Sequence, residues 1–243
     1  MKRIIQIVRS AVFIVVFALA TVIHSAMCVL VLPWLPLRPR FKVAILLNHF
    51  VVWWFARACG VRYRIEGLHN LPREGAAVLV SNHQSEWETF YLQTLVSPLC
   101  TVLKKELLWV PFFGWALALI KPIAIDRNAG AGALKQILKQ GRDKLAQGFW
   151  VLIFPEGTRV KPGQRRKFSK TGALLSHQSG RPLVPIVHNA GEVWPARGFM
   201  KNSGELRLVI GEPIDPQGRT LEEIYRDSTG WIESTRDRIS GQS

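Results

Sequence analysis

Apolar and polar positions divide the chain into two regimes. Residues 11–32, AVFIVVFALATVIHSAMCVLVL, carry no formal charge and a single His. At ~1.5 Å per residue, a helix over this stretch is roughly 33 Å long, enough to cross a hydrocarbon core. Lys2, Arg3 and Arg9 before it would also suit a cleaved leader. The run, however, continues past Ser25-Ala26 and is too long for the apolar part of a leader, so a retained anchor is expected. Pro33, Pro36 and Pro39 then forbid a continuous helix. A second apolar stretch, FKVAILLNHFVVWWFARACG at 41–60, is interrupted by Lys42, Asn48, His49 and Arg57. It reads as a second membrane segment, spanning or lying along the interface, or as a buried core helix. Basic residues flank the first stretch on both sides, so the positive-inside rule gives no orientation.

From residue 61 the period changes. Short β-rich runs bounded by turns occur at 61–67, 76–82, 100–103, 149–157, 182–191 and 205–214. Between them, ALKQILKQGRDKLAQG at 133–148 sets Leu134, Ile137, Leu138 and Leu145 on one helical face and charges on the other. Strands alternating with helices predict an α/β domain over 61–243, preceded by anchoring helices over 1–60.

Charge narrows the partners. Lys and Arg outnumber Asp and Glu 32 to 17, giving a net charge of +15, which calls for an anionic partner. Nine Trp among these cations fit a membrane interface, and equally a nucleic-acid surface. Cys28, Cys59 and Cys100 form no paired framework, which favours reduced thiols and a cytoplasm-facing domain.

Candidate chemistry collects at the ends of the apolar runs, where α/β folds place their ligand crevices. His83 follows AAVLVSN, Arg127 follows IKPIAID, and Glu156-Gly157-Thr158-Arg159 follows FWVLIFP. Around His83 the sequence is Ser-Asn-His-Gln-Ser-Glu-Trp-Glu-Thr. On one ideal helix His83 and Glu88 would stand ~140° apart and could not meet. Ser85-Glu86-Trp87-Glu88 instead matches a capping box, with Ser85 as N-cap and Glu88 at the third helical position. His83 would then lie on the preceding loop, within reach of a first-turn carboxylate. A zinc site is not indicated, since the i, i+4 ligand pair and a third ligand are both missing.

These segments resemble the glycerolipid acyltransferase superfamily. His83 followed by four residues and an acid is similar to its first motif, and Phe154-Pro155-Glu156-Gly157-Thr158-Arg159 matches its third. Gly114 through Ile125-Asp126-Arg127 is similar to the second, and Val184-Pro185-Ile186-Val187 to the fourth. The usual acid is Asp, where this chain has Glu88. The N-terminal segment also fits the bacterial lysophosphatidic acid acyltransferases. The resemblance implies a mixed sheet with flanking helices and transfer of a fatty acyl group from a thioester to the sn-2 hydroxyl of lysophosphatidic acid. It implies His83 as general base and Glu88 as its orienting acid, with Arg127 and Arg159 gripping phosphate. Glu156 would orient Arg159 or accept from a glycerol hydroxyl, Gly157 and Thr158 would bind substrate, with Gly157 letting the backbone approach closely or adopt a positive φ, and Pro185 would shape the pocket without touching the chemistry. Lys104, Lys105 or a backbone N–H near His83 would serve the oxyanion. No metal or cofactor is implied; coenzyme A or acyl carrier protein carries the acyl group as co-substrate. The five cations Lys161, Arg165, Arg166, Lys167 and Lys170 would meet anionic headgroups, coenzyme A phosphates or a carrier protein, at the cytoplasmic side of the inner membrane.

Three rivals remain at this level. A nucleic-acid-binding membrane protein accounts for the charge and leaves both motifs unexplained, so no nucleic acid is expected. A non-catalytic lipid-binding module would better suit a chain that had lost His83 or its acid. A change of acceptor, to glycerol 3-phosphate or another lysophospholipid, keeps the same chemistry.

Overall fold

The computed structural model describes residues 2–126 and 129–240. Helix α1 (Lys2–Val31) gives way at Pro33 to a short 3-10 turn, and α2 (Leu37–Cys59) begins after Pro36. Pro39 is tolerated inside α2 because it lies in the first turn, where a backbone N–H has no intrahelical acceptor to lose. Gly60, in the left-handed region at φ 70°, ends α2 and turns the chain into β1 (Val61–Glu66).

The remaining elements alternate. They are β2 (Val78–Ser81), α3 (Trp87–Leu95), β3 (Leu99–Lys104), α4 (Phe113–Leu119), β4 (Ile123–Ile125), α5 (Ala131–Ala146) and β5 (Trp150–Ile153). Then follow α6 (Thr171–Ser179), β6 (Leu183–His188), α7 (Ala190–Val193), β7 (Gly204–Ile210) and α8 (Leu221–Ile239). All six expected strands form, and the IKPIAID run contributes β4. The sheet order is β1-β7-β6-β2-β5-β3-β4. Pairing is parallel except between β6 and β7, so β1 and β7 run against the other five and the sheet is mixed.

Strands β2, β5 and β6 are buried along their whole length, so both faces of the sheet are covered. Helices α5, α6 and α8 pack together on the central strands, while α1, α2 and α3 form a second group. The N-terminal helices enter the core rather than trailing from it. Phe13 of α1 is fully buried, with its ring 5.2 Å from Phe55 of α2 and 4.9 Å from Trp194 after α7. Ser10 Oγ accepts from Lys201 N at 2.9 Å and Gln6 donates to Asn202 Oδ1 at 2.6 Å, tying α1 to the loop before β7. Even so, only 11% of the most apolar window of α1 is buried, against 28% for α2. Both helices are long and apolar enough to cross a bilayer, which suggests membrane association.

Candidate active site

Because β6, β2, β5, β3 and β4 run in one direction, their C-terminal ends meet at one sheet edge. That edge presents His83 two residues past β2, Glu156 three past β5, His188 at the end of β6 and Lys104 at the end of β3. Parallel pairing sets β2 between β6 and β5, so His83 lies between His188 and Glu156. The sequence motifs of residues 80–190 are thereby drawn together by topology.

The loop before α3 is organised by one carboxylate. Glu88 Oε1 lies 2.8 Å from His83 Nδ1, 2.8 Å from Gln84 N and 2.7 Å from Ser85 N. The expected capping box is only half realised. Helix α3 starts at Trp87, and Ser85 Oγ accepts from Trp87 N at 3.1 Å instead of from the third helical residue. The half that forms is the acid's: Glu88 accepts from Ser85 N, and the same oxygen also serves His83 Nδ1 and Gln84 N. Total burial would push the Glu88 carboxyl up, but His188, His83 and the Ser85 backbone N–H outweigh it and hold the group below its ordinary value. Glu88 is therefore an acceptor-only carboxylate, so His83 Nδ1 carries the proton and Nε2 is the basic nitrogen. The imidazole stacks on Phe154 at 4.1 Å, which fixes its plane.

His188, which sequence reasoning did not single out, braces this loop from β6. Asn82 Nδ2 donates to His188 O at 2.9 Å, His188 N donates to Asn82 Oδ1 at 3.0 Å, and His188 Nε2 lies 2.8 Å from Asn82 O. Its Nδ1 accepts from Ala190 N at 3.2 Å, which fixes the proton on Nε2. Burial pulls His188 below the usual histidine range, opposed by Glu88 and by the hydrogen bond to the Asn82 carbonyl.

Two expectations for the third motif need correction. Glu156 does not orient Arg159 and does not line the cavity. It is buried behind the His83 loop, where its Oε1 accepts from His83 N at 3.4 Å. Arg159 pairs instead with Glu86, at 2.7 Å. Glu86 was read only as a capping-box residue, yet the α3 start turns its side chain toward the third-motif loop. Burial pushes Glu156 up to about 7, opposed by backbone hydrogen bonds and by Arg236. Gly157 has φ 69° with open space where a Cβ would stand, so its role is the left-handed turn and not close approach.

The oxyanion expectations also change. The backbone N–H groups of His83, Gln84 and Ser85 are taken by Glu156 and Glu88. Lys105 is outside the cavity wall, paired with Asp126 Oδ2 at 2.6 Å. Lys104, Thr158 and Arg159 do line the wall. Arg127 lies outside the described residues. Of the basic loop, Lys161 reaches the cavity, whereas Arg165 and Lys170 pair with Asp237 and Glu222 of α8. Pro185 sits within β6, away from the cavity. No cluster of three metal-ligating side chains occurs among the described residues.

His83 opens on a cavity of about 1360 Å³. Its lining includes the cations Arg159, Lys161 and Arg197 together with His83, and apolar side chains such as Phe17, Leu47, Phe90 and Leu117 from α1, α2, α3 and α4. The N-terminal helices thus help to enclose the space that the sheet edge equips.

The sequence model of the acyltransferase family matches residues 62–189. The 1-acyl-sn-glycerol-3-phosphate acyltransferase of Pseudomonas aeruginosa is 42% identical over 240 residues, covering 97% of this chain and 93% of that protein. The human 1-acyl-sn-glycerol-3-phosphate acyltransferase alpha is 29% identical over 167 residues, 68% of this chain and 59% of its own. The solved structure of the 1-acyl-sn-glycerophosphate (LPA) acyltransferase of Thermotoga maritima superposes with a TM-score of 0.78 at 21% identity, covering 100% of this chain and 99% of that one. With the motifs in order, the mixed fold matched and near-full-length similarity to the Pseudomonas protein, the chain belongs to the acyltransferase family.

Proposed function

We propose that the protein transfers a fatty acyl group from a thioester to the sn-2 hydroxyl of lysophosphatidic acid, forming phosphatidic acid. The observation that carries this reading is the His83–Glu88 pair, with His83 in the wall of a cavity that also carries Arg159 and many apolar side chains. Near-full-length similarity to a protein bearing that activity in its name supports the choice of acceptor.

An alcohol attacks a thioester poorly until a base takes its proton as the C–O bond forms. His83 Nε2 takes that proton, while Glu88 holds Nδ1–H and stabilises the imidazolium. The tetrahedral oxyanion then collapses, the C–S bond breaks, and the imidazolium returns its proton to the leaving thiolate. The nucleophile is the substrate's own oxygen, so no enzyme Ser or Cys is acylated and no cofactor is needed. Arg159, with Arg127 by motif, binds the acceptor phosphate. Glu86 neutralises Arg159 between turnovers and must yield as phosphate arrives. Glu156 acts from behind the loop, fixing the His83 backbone. The acyl chain takes the apolar end of the cavity, and Lys161 faces the phosphates of coenzyme A or an acidic carrier protein.

Residues 1–60 hold this site at the inner membrane, with the 61–243 domain on the cytoplasmic side where acyl thioesters are made. Net charge of +15 favours that anionic surface.

A parallel acceptor panel tests the reading. The purified detergent-solubilised chain is given oleoyl-coenzyme A with lysophosphatidic acid, glycerol 3-phosphate or a zwitterionic lysophospholipid, and products are followed by mass spectrometry. Phosphatidic acid from lysophosphatidic acid is expected; preferential acylation of either other acceptor overturns the substrate.

A further inference from the structure

After α2, five of the eight large apolar side chains that are exposed among the described residues fall in one stretch, the 3-10 turn Lys105–Trp109 and the start of α4, the others being Leu68, Leu134 and Phe199. Trp109 is 70% exposed and Trp115 48%, with Leu107, Val110 and Phe112 also exposed. Scattered apolar side chains on a surface are ordinary, but a contiguous patch with two Trp is not. The patch is also built rigidly. Gly114 packs so closely on the preceding turn that a Cβ there would meet Leu107 O at 2.4 Å. Phe112 is held at φ 58°, a conformation a bulky residue adopts only under constraint, and its ring packs 5.3 Å from Trp115.

Its position is fixed by α1. Cys28 and Leu32, in and after the last turns of α1, share a buried cluster with Ile120, and Ala116, Leu117 and Leu119 pack against it. Arg40, at the start of α2, donates to Leu119 O at 2.9 Å. The patch therefore lies beside the C-terminal end of α1. Both also contribute to the cavity wall: Val22 of α1 lines it and is itself exposed, and Leu107, Val110 and Phe112 likewise line it and are exposed. Wall residues that are both apolar and exposed face hydrocarbon at lower cost than water. Lys104, Lys105 and Lys121 flank the patch in sequence, as suits anionic headgroups around a wedge of aromatic rings.

We propose that residues 105–115 form a second membrane-contacting element, entering the lipid interface beside α1 so that the cavity mouth between them opens sideways into the bilayer. The occupant of this surface is lipid. The proposal rests on the membrane-association reading of α1, and the test separates the two.

Full-length protein is placed in phosphatidylethanolamine–phosphatidylglycerol vesicles with one nitroxide at a time, on Trp109→Cys, Trp115→Cys, Ile23→Cys of α1, or Lys139→Cys of α5. Unsubstituted protein, whose three cysteines are buried, gives the background. Collision with oxygen against a water-soluble nickel chelate reads depth. Positions 109 and 115 are expected to favour oxygen as position 23 does, while 139 favours the chelate. Chelate access at 109 and 115 with position 23 in hydrocarbon overturns the proposal and leaves the anchor standing. Chelate access at position 23 as well overturns both. Spin–spin broadening at 109 that disappears on dilution with unlabelled protein assigns the patch to a second copy and overturns the lipid. As a functional arm, Trp109→Ser/Trp115→Ser is expected to lose about tenfold turnover on vesicle-held acceptor, since the interfacial anchors are gone. A water-soluble short-chain acceptor should be acylated as by the parent, which also reports correct folding. Equal turnover of vesicle-held acceptor by both proteins contradicts the proposal.

Discussion

Glu88 Oε1 accepts three short hydrogen bonds, from His83 Nδ1, Gln84 N and Ser85 N, so one oxygen sets both the shape of the loop and the tautomer of its histidine. Glu88→Gln keeps the volume and removes the charge. Turnover should fall roughly 10²–10⁴-fold, as when the orienting acid of a serine triad is neutralised, with the acceptor KM changed little. Initial rates across acceptor concentration check this; a KM effect alone would place Glu88 in binding. Glu156 makes a prediction in stability. Its carboxyl rises from 4.5 to about 7 on burial, so between those values the folded protein binds more protons than the unfolded chain. The contribution of this group to stability is greatest below about 4.5 and is lost as pH rises through about 7, by about 3 kcal/mol in all. Glu156→Gln should flatten this part of the profile, measured as melting temperature from pH 5 to 8; an unchanged slope would mean that another group titrates. His83, both carboxylates and the pairing of His83 with Glu88 were legible from the motifs, but the contacts that brace them from other segments were not. Nothing local in the sequence links Glu86 to Arg159 or Asn82 to His188, because residues 73 and 106 positions apart meet only through parallel strand pairing.

The two N-terminal helices and the alternating strands were readable from period alone, since a buried central strand and a lipid-facing helix each impose one pattern over many residues. Boundaries were harder. Helix α3 begins at Trp87 because Glu88 serves the loop, and Pro39 falls inside α2 because first-turn N–H groups need no partner. The turn before α4 shows an element held by a single close approach. Gly114→Ala would drive a Cβ into the Leu107 and Leu108 backbone, so it should cost about 1–3 kcal/mol and loosen the cavity wall formed by Leu107, Val110 and Phe112. Denaturant unfolding in detergent measures it; a neutral result would mean that the turn shifts freely.

On the scale of the molecule, the division at residue 60 describes composition better than packing. The sequence separated an apolar region from an α/β region, but it gave no sign that Phe13 would sit against Phe55 and Trp194, since aromatic residues in a membrane-length helix look alike whether they face lipid or protein. Phe13→Ala should therefore destabilise the whole protein by about 3–5 kcal/mol, as loss of a core Phe does, and not merely weaken membrane attachment. Retained stability with reduced vesicle binding would contradict that integration. Residues of the N-terminal helices and of the sheet edge line one cavity, and the proposed chemistry there rests on the His83 imidazole. The most direct measurement is phosphatidic acid formation from lysophosphatidic acid and oleoyl-coenzyme A by the parent protein and by His83→Ala. Both should show the same folded thermal profile, with product from the parent and turnover reduced by at least about 10²-fold in the variant. Unchanged turnover by His83→Ala would contradict the account.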